Sequence, residues 1–490
     1  MATLADLPLP TPKRKSLPPH SHTTAVGPTE AKADRERLLE EEEFRVDTTT
    51  PDHALTFAQD QSIRDFCAGK NILLHGPAGS GKSFMVKRFR QEHKGDEEEV
   101  VVTAPTAVAA LLINGRTLTS IFSCGLLDDK SASRIVKKMN KWKLADMKKI
   151  KTLVIDEISM VSPGRFEKVS LIFQILHGNS QPFGGVQLVL SGDFGQLPPV
   201  SRTARKEKYC FQSPEFARAA IRVADLPDVF RQTDPALVRV LNHMRYGRLT
   251  ADDHAVLEGR VNAKLEANGV RPTDLYGTNR AVDAQNFEEL RKLPGDAKIF
   301  QGKVEAVWVL ASGAVVTEKD AGLSLGRQRA VDKAKQAIVT NSRLPMRMQL
   351  KVRAQVMITR NIDFDAGLVN GKRGVIARFD EVSGLPVMRT ASGVEYTINR
   401  ITLKTKLNRG GEVRYEQIPL RLAWAISIHK SQGAKIDKVR MHMDTIFGDA
   451  MAYVGLSRCE ELSGISIVGK YDRSKIRANP AVCERFAPRR

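Results

Sequence analysis

Eight consecutive residues carry the clearest chemistry in this chain: Gly76-Pro77-Ala78-Gly79-Ser80-Gly81-Lys82-Ser83, a match to the pattern G-x-x-x-x-G-K-S of a phosphate-binding loop. Glycines let backbone N–H groups close around an anion, and a helix starting at the loop adds the positive end of its dipole. Lys82 is placed to reach the terminal phosphates of a nucleoside triphosphate, and the Ser83 hydroxyl to hold Mg2+. Two carboxylates, Asp156-Glu157, end the apolar run Thr152-Leu153-Val154-Ile155. There Asp156 suits magnesium, bound indirectly through water, and Glu157 suits orienting and deprotonating a water aimed at the γ-phosphate. Gln196, within Gly192-Asp193-Phe194-Gly195-Gln196-Leu197-Pro198-Pro199, offers an amide that could sense the same phosphate. Gln59, just ahead of the loop, offers a donor and an acceptor to an adenine edge. An Asp-Glu dipeptide or a single Gln is a weak signal alone; following a phosphate loop along one chain gives them weight.

The elements that must position these groups follow from periodicity. Asn71 to His75 reads as a buried strand and Phe84 to Arg90 as an amphipathic helix. Val100 to Ala104, Lys151 to Ile155 and Val186 to Leu190 are further apolar runs of strand length, with helical patterns between them. Alternating strands and helices imply a parallel sheet with function at the carboxyl ends of its strands. From about Gly302 to Glu416 glycine turns and strand-like alternation dominate, which reads as a β-rich, barrel-like insertion. Helical character returns over Leu420 to Gly433, and a strand follows at Ile465 to Val468. The Lys-rich stretch Lys137 to Lys151 fits a solvated face better than a nucleic-acid-facing helix.

At 490 residues the chain is too long for one core, so two to four domains are expected. Lysine and arginine exceed aspartate and glutamate by 20, a balance that favours a polyanionic partner, nucleic acid first. The 5 cysteines lack metal-type spacing, which suits a reducing compartment and argues against a disulfide framework or a zinc site. No apolar run reaches the roughly 18–20 residues of a membrane span, and no signal-peptide core opens the chain, so an intracellular place and no membrane partner are expected. Residues 1–50, rich in Pro, Ser, Thr and charge, read as a disordered arm. Within it Pro12-Lys13-Arg14-Lys15 matches a nuclear-import patch, although so short a tetrad is more often a solvated tail.

Taken together, these stretches resemble the motif series of the PIF-type helicases, a superfamily-one, group B family related to RecD. The resemblance runs from about Leu55 to Tyr471. Leu55 to Gln59 is similar to the Q motif, Gly76 to Ser83 to motif I, and Ala104-Pro105-Thr106 with Gly115 to Phe122 to motifs Ia and Ib. Asp156 to Val161 resembles motif II, Pro182 to Val200 motif III, and Phe230-Arg231-Gln232 motif IV. Leu368 to Gly371 with Arg373-Gly374 resembles the family's inserted SH3-like region, Ala423 to Gly433 motif V and Ala452 to Arg458 motif VI.

The resemblance implies an α/β fold of two RecA-like P-loop lobes with parallel sheets, plus a small SH3-like β-barrel insertion in the second lobe. The implied domains are a first lobe at 51–205 with a small wedge insertion around 115–150, a second lobe at 206–300 and 416–472, the insertion at 301–415, and a tail at 473–490. By position, Gln59 and Tyr453 would join the loop, Gly76 to Ser83, in binding ATP; Ser83 and Asp156 would hold Mg2+. Lys82, Asp156, Glu157, Gln196, Arg231 and Arg458 would be catalytic, both arginines reaching the γ-phosphate from the second lobe. Arginine suits this because its rigid fork spreads donors over several oxygens and stays charged. Thr106, Thr119, His429, Lys430 and Ser431 would contact DNA, with Thr119 standing where the family often has His.

The implied activity is an ATP-dependent, 5′-to-3′ DNA helicase acting on single strands and single/double-strand junctions. G-quadruplexes, replication, repair, recombination and telomere maintenance lie within the family's range. A monomer that can dimerise on DNA is expected. A small-molecule kinase has no use for a second lobe bearing Arg231, Lys430 and Arg458; a translocase or remodeler with little strand separation remains open.

Overall fold

The structure is a computed structural model describing residues 55–488, except 107–108, 111–112, 123–130, 200–207, 267–268, 310–313, 319, 321, 343, 361, 364–365 and 408–410. The arm at 1–50, with its basic tetrad Pro12 to Lys15, lies outside the described residues. Residues from Thr56 onward form one compact unit.

That unit opens on α1 (Phe57–Cys67), held by a reciprocal cap: the Gln59 N–H donates to Thr56 Oγ1 and the Thr56 N–H donates to Gln59 Oε1. Next come β1 (Ile72–His75), the phosphate loop, α2 (Lys82–Glu92), β2 (Val100–Ala104), β3 (Arg116–Thr117), and two helices, α3 (Ala132–Lys137) and α4 (Lys141–Lys149). The chain continues through β4 (Thr152–Ile155), α5 (Pro163–His177), β5 (Gln187–Gly192), α6 (Pro214–Arg218) and β6 (Arg222–Asp225). These strands make one sheet in the order β3-β2-β4-β5-β1-β6, with every neighbour parallel. Their carboxyl ends therefore share one edge, where the phosphate loop, Asp156-Glu157 and Asp193 all emerge. Strand β6 corrects the boundary expected at residue 205: it pairs with β1 in register Ile72↔Arg222 to His75↔Asp225, so the first lobe runs on to Asp225. Without it β1 would be an edge strand with its ladder groups unpaired.

The chain leaves this sheet for α7 (Pro235–Arg245), α8 (Ala251–Glu258), β7 (Thr273–Tyr276) and α9 (Asn279–Lys292). The expected β-rich stretch follows as three antiparallel sheets. One pairs β8 (Lys298–Gln301) with β11 (Arg347–Leu350); another orders β10 (Val315–Thr317), β9 (Lys303–Val309), β17 (Glu412–Gln417) and β16 (Ile401–Lys406). The third orders β15 (Glu395–Thr397), β14 (Pro386–Thr390), β13 (Arg373–Phe379), β12 (Gln355–Ile358) and β18 (Leu420–Leu422). Amid the strands lies a helix that alternation does not announce, α10 (Leu325–Ser342), whose Val331 and Ile338 pack with Val413 and Tyr415 of β17.

The helix expected over Leu420 to Gly433 is absent. The segment is β18, then β19 (Ala425–Ser427), then a single turn, α11 (Ile428–Ser431). Short apolar runs do not separate helix from strand; here the ladders to β12 and β7 decide it. With β20 (Val439–His442) and β21 (Ile465–Val468), the second parallel sheet is β19-β7-β20-β21, and α12 (Met451–Leu456) lies between the last two strands in sequence. The supposed tail after residue 473 carries α13 (Pro480–Phe486), which crosses back to the first lobe: Val482 belongs to that lobe's core, and Phe486 stacks on His75 and Phe194 at ring distances of 4.5 and 5.0 Å.

Candidate functional site

The phosphate loop begins at the buried end of β1 and closes onto the first turn of α2. Gly79 and Gly81 sit at φ of +89° and +80°, a region glycine enters without strain. Gly79 has a second reason: a Cβ there would collide with the Arg231 Cβ, because the segment around Arg231 lies directly over the loop. The Phe230 N–H donates to Gly79 O at 2.9 Å. Lys82 Nζ donates to Gly76 O at 2.9 Å and Pro77 O at 2.7 Å; burial lowers its pKa to about 8, with Asp193 opposing. Ser83 stands exposed at the start of α2. Gln59 is buried beside the loop, its Oε1 used by the helix cap and its Nε2 facing Gly81.

Asp156 and Glu157 follow β4. Burial raises both carboxyls, Glu157 to about 7 with Asp156 beside it as the second cause; Lys82, Gln432 and Arg458 pull the other way. Glu157 adopts φ +50°, a strained setting for a residue with a side chain and one concentrated at functional positions. Gln196 is buried on the loop after β5, where its N–H donates to Asp193 O.

The second lobe completes the pocket. Arg458 is buried, with Nε donating to Val454 O at 2.8 Å and Nη2 to Ser457 Oγ at 2.7 Å. Burial brings its guanidinium down to about 10, the neighbouring Arg231 adding to the drop and Glu157 resisting it. Arg231 is lowered by burial too, with Tyr453 and Glu157 opposing. The two arginines of the second lobe and the carboxylate of the first therefore share one electrostatic neighbourhood. Tyr453 is fully committed: its hydroxyl donates to Asp193 Oδ2 at 2.8 Å and accepts from the Ala78 N–H at 3.1 Å. Its influence on a nucleotide would pass through the loop backbone.

Several residues here escaped the sequence reading. Arg245, at the end of α7, donates from Nε to Asp193 Oδ1 at 2.7 Å, and its Nη2 lies 3.0 Å from His75 Nε2. Burial pushes the Asp193 carboxyl up, but Arg245 and Lys82 outweigh it and hold it below its ordinary value. Phe230 leaves its ring 59% exposed beside Gly81, a flat face next to the nucleotide position; its place just before Arg231 was the available signal. Gln432 donates from Nε2 to Glu157 Oε2 at 3.0 Å.

A cleft of about 1360 Å³ runs between the two sheets and the insertion, with Thr106, Glu157, His429, Lys430, Gln432, Phe287 and Phe447 among its walls. Thr106, His429 and Lys430 thus meet where nucleic-acid contacts were expected. Ser431 does not: it is fully buried and its hydroxyl donates to Ile428 O at 2.8 Å, because the single turn α11 turns His429 and Lys430 outward and Ser431 toward the core. Thr119 is not among the cleft walls; its Oγ1 lies 3.4 Å from that of Thr117. Phe287 and Phe447 are 65% and 63% exposed, presenting aromatic faces of the kind on which bases stack.

A family model described as "PIF1-like helicase" matches residues 58–250, and one described as "DNA helicase Pif1, 2B domain" matches residues 335–379. The chain is 33% identical over 434 residues to the ATP-dependent DNA helicase PIF1 of Xenopus laevis, covering 88% of this chain and 64% of that protein. It is 35% identical over 416 residues to the protein of the same name in Danio rerio, covering 85% and 61%. It therefore spans under two thirds of the length of these curated relatives. Among solved structures, the Pif1 helicase of Candida albicans superposes with a TM-score of 0.70 at 29% identity, covering 88% of this chain and 98% of that one. Pif1 from Bacteroides sp in complex with ADP-AlF4 superposes at 0.70 and 25% identity, and Bacteroides Pif1 bound to ssDNA at 0.61 and 25%, each covering 88% of this chain and 96% of the other.

Proposed function

We propose that the chain, similar over most of its length to PIF1-like helicases, is an ATP-dependent DNA helicase that moves 5′-to-3′ along single-stranded DNA and separates the duplex ahead. One observation carries the reading: Arg231 and Arg458 of the second lobe share the neighbourhood of the first lobe's Glu157, and the same Glu157 lines the cleft that holds His429 and Lys430. The hydrolytic site and the strand path are thus contiguous.

ATP would lie on Gly76 to Ser83, with Gln59 and Phe230 toward its base. The hard oxygen donors of Ser83 and Asp156 fit Mg2+, which takes few protein ligands and keeps waters and phosphates as the rest; no group of three His, Cys, Asp or Glu fit for a softer metal occurs among the described residues. The ion would neutralise charge on the β- and γ-phosphates. Glu157 would orient the attacking water and take its proton, Gln196 would sense the γ-phosphate, and Lys82, Arg231 and Arg458 would stabilise charge spreading over its oxygens. Nucleotide binding would close the lobes; release would reopen them, and alternate grip on the strand would advance the enzyme. Separating one base-pair step requires about 1.4 kcal/mol, a modest demand on one ATP.

The lobe residues 56–225, and 226–297 with 423–472, form the motor, and the antiparallel sheets between them supply the SH3-like insertion. Single/double-strand junctions are the natural substrate, G-quadruplexes a further one, and a monomer suffices. The test is strand separation on forked duplexes carrying only a 5′ or only a 3′ tail. Unwinding confined to the 5′-tailed fork is expected. ATP-driven displacement of a bound protein from single strands, with neither fork unwound, would favour the translocase reading.

A further inference from the structure

The turn that ends motif V touches three parts of the machine at once. His429 and Lys430 stand in the wall of the strand cleft. The Ser431 carbonyl accepts from Arg458 Nη1 at 3.4 Å. The next residue, Gln432, donates from Nε2 to Glu157 Oε2 at 3.0 Å, a bond between groups 275 positions apart in the chain and on opposite lobes. Gly433 follows at φ +80° and lets the chain turn away immediately. Four consecutive residues therefore reach the strand path, the arginine and the carboxylate.

We propose that Gln432 is the positioning residue through which occupancy of the cleft acts on Glu157. The inference rests on the helicase reading and deepens it, naming the link between strand binding and hydrolysis. Three features of the side chain support it. Its length spans the gap from the second lobe to the first, which Asn, one methylene shorter, would not. It is buried, and its Oε1 has no partner, so the donor bond to Glu157 is what orients the amide. It is uncharged, so it steers the carboxylate without adding a further charge to a pocket that already holds Lys82, Asp156, Arg231 and Arg458. A strand pressing on His429 and Lys430 displaces the turn that carries Gln432. The carboxylate bonded to it must follow.

The experiment is steady-state ATP hydrolysis by the full chain with and without a dT oligonucleotide, alongside the oligonucleotide Kd from fluorescence anisotropy. Gln432→Met keeps the size and removes the donor; Gln432→Asn keeps the polarity but falls short of Glu157, and serves if the Met variant folds poorly. Both are expected to lower DNA-stimulated kcat more than basal kcat, so that the stimulation ratio falls about tenfold or more, the scale of a hydrogen bond to a charged group. ATP KM and oligonucleotide Kd should shift far less. A preserved stimulation ratio, with both rates falling together or neither falling, overturns the proposal, as does loss of oligonucleotide affinity matching the loss in rate. A wild-type chain whose ATPase ignores DNA refutes the helicase reading itself, a result separate from either variant outcome.

Discussion

Arg458 makes its hydrogen bonds to neutral oxygens, those of Val454, Ser431 and Ser457, while Arg231 repels it and burial weakens its hold on its proton. A guanidinium kept in that setting gains most from an arriving anion, as a γ-phosphate would be. Arg458→Ala should therefore lower DNA-stimulated ATP turnover by roughly 10³–10⁵, the range for arginine fingers, while single-strand binding persists. Arg458→Lys should recover little, since a point charge does not replace the fork. Near-wild-type turnover in the Ala variant would refute the assignment. The phosphate loop and Asp156-Glu157 were legible in sequence because their chemistry fixes both type and spacing, each following a strand, whereas Arg458 came from the motif resemblance. Arg245 and His75 were not, because nothing local marks a partnership formed across 170 positions. Ser431 misled for the opposite reason: it sits among true cleft residues, and only the pitch of one helical turn sends it inward.

The elements were legible where the apolar pattern was clear, as in β1 and α2, and illegible where pairing rather than propensity decided. Strands β18 and β19 read as helix until their ladder partners are known, and α10 hides among strands because its buried positions are few and its surface is rich in Lys, Arg and Gln. Helix α7 shows how much one terminal residue adds. Its last position, Arg245, enters the first lobe and meets Asp193, both side chains being at least 95% buried. Removing one partner of a buried ion pair leaves the other charge stranded, which costs about 3–5 kcal/mol. Arg245→Met should lower the unfolding free energy obtained from chemical denaturation by about that amount. Pairing it with Asp193→Asn should restore part of the loss, since the stranded charge is gone. If the double variant is as unstable as the sum of the singles, the two residues are not coupled as the geometry implies.

At the scale of the whole molecule, charge and shape point the same way. The excess of 20 positive charges and the cleft bearing His429 and Lys430 suit a polyanion whose bases can stack on Phe287 and Phe447. Single-strand affinity should fall with salt, log K dropping about 0.7 per log unit of salt for each phosphate neutralised; a flat response would remove the electrostatic basis of the cleft. Composition favours a polyanionic partner, and alternation of strand and helix foretold a parallel sheet; that there are two followed from the motif resemblance. What sequence could not foretell is how the lobes are joined, because α13 shows no periodicity that says which core receives it. The chain leaves the first lobe after Asp225 and returns to it with Val482 and Phe486, so two separate strands of backbone bridge the same gap. A body tethered at one point can swivel about three axes; one tethered at two keeps a single easy rotation, like a door hung on a pair of hinges. The stroke driven by each nucleotide would then repeat along the same arc, and severing the second hinge by ending the chain before Pro480 would leave a motor free to wobble.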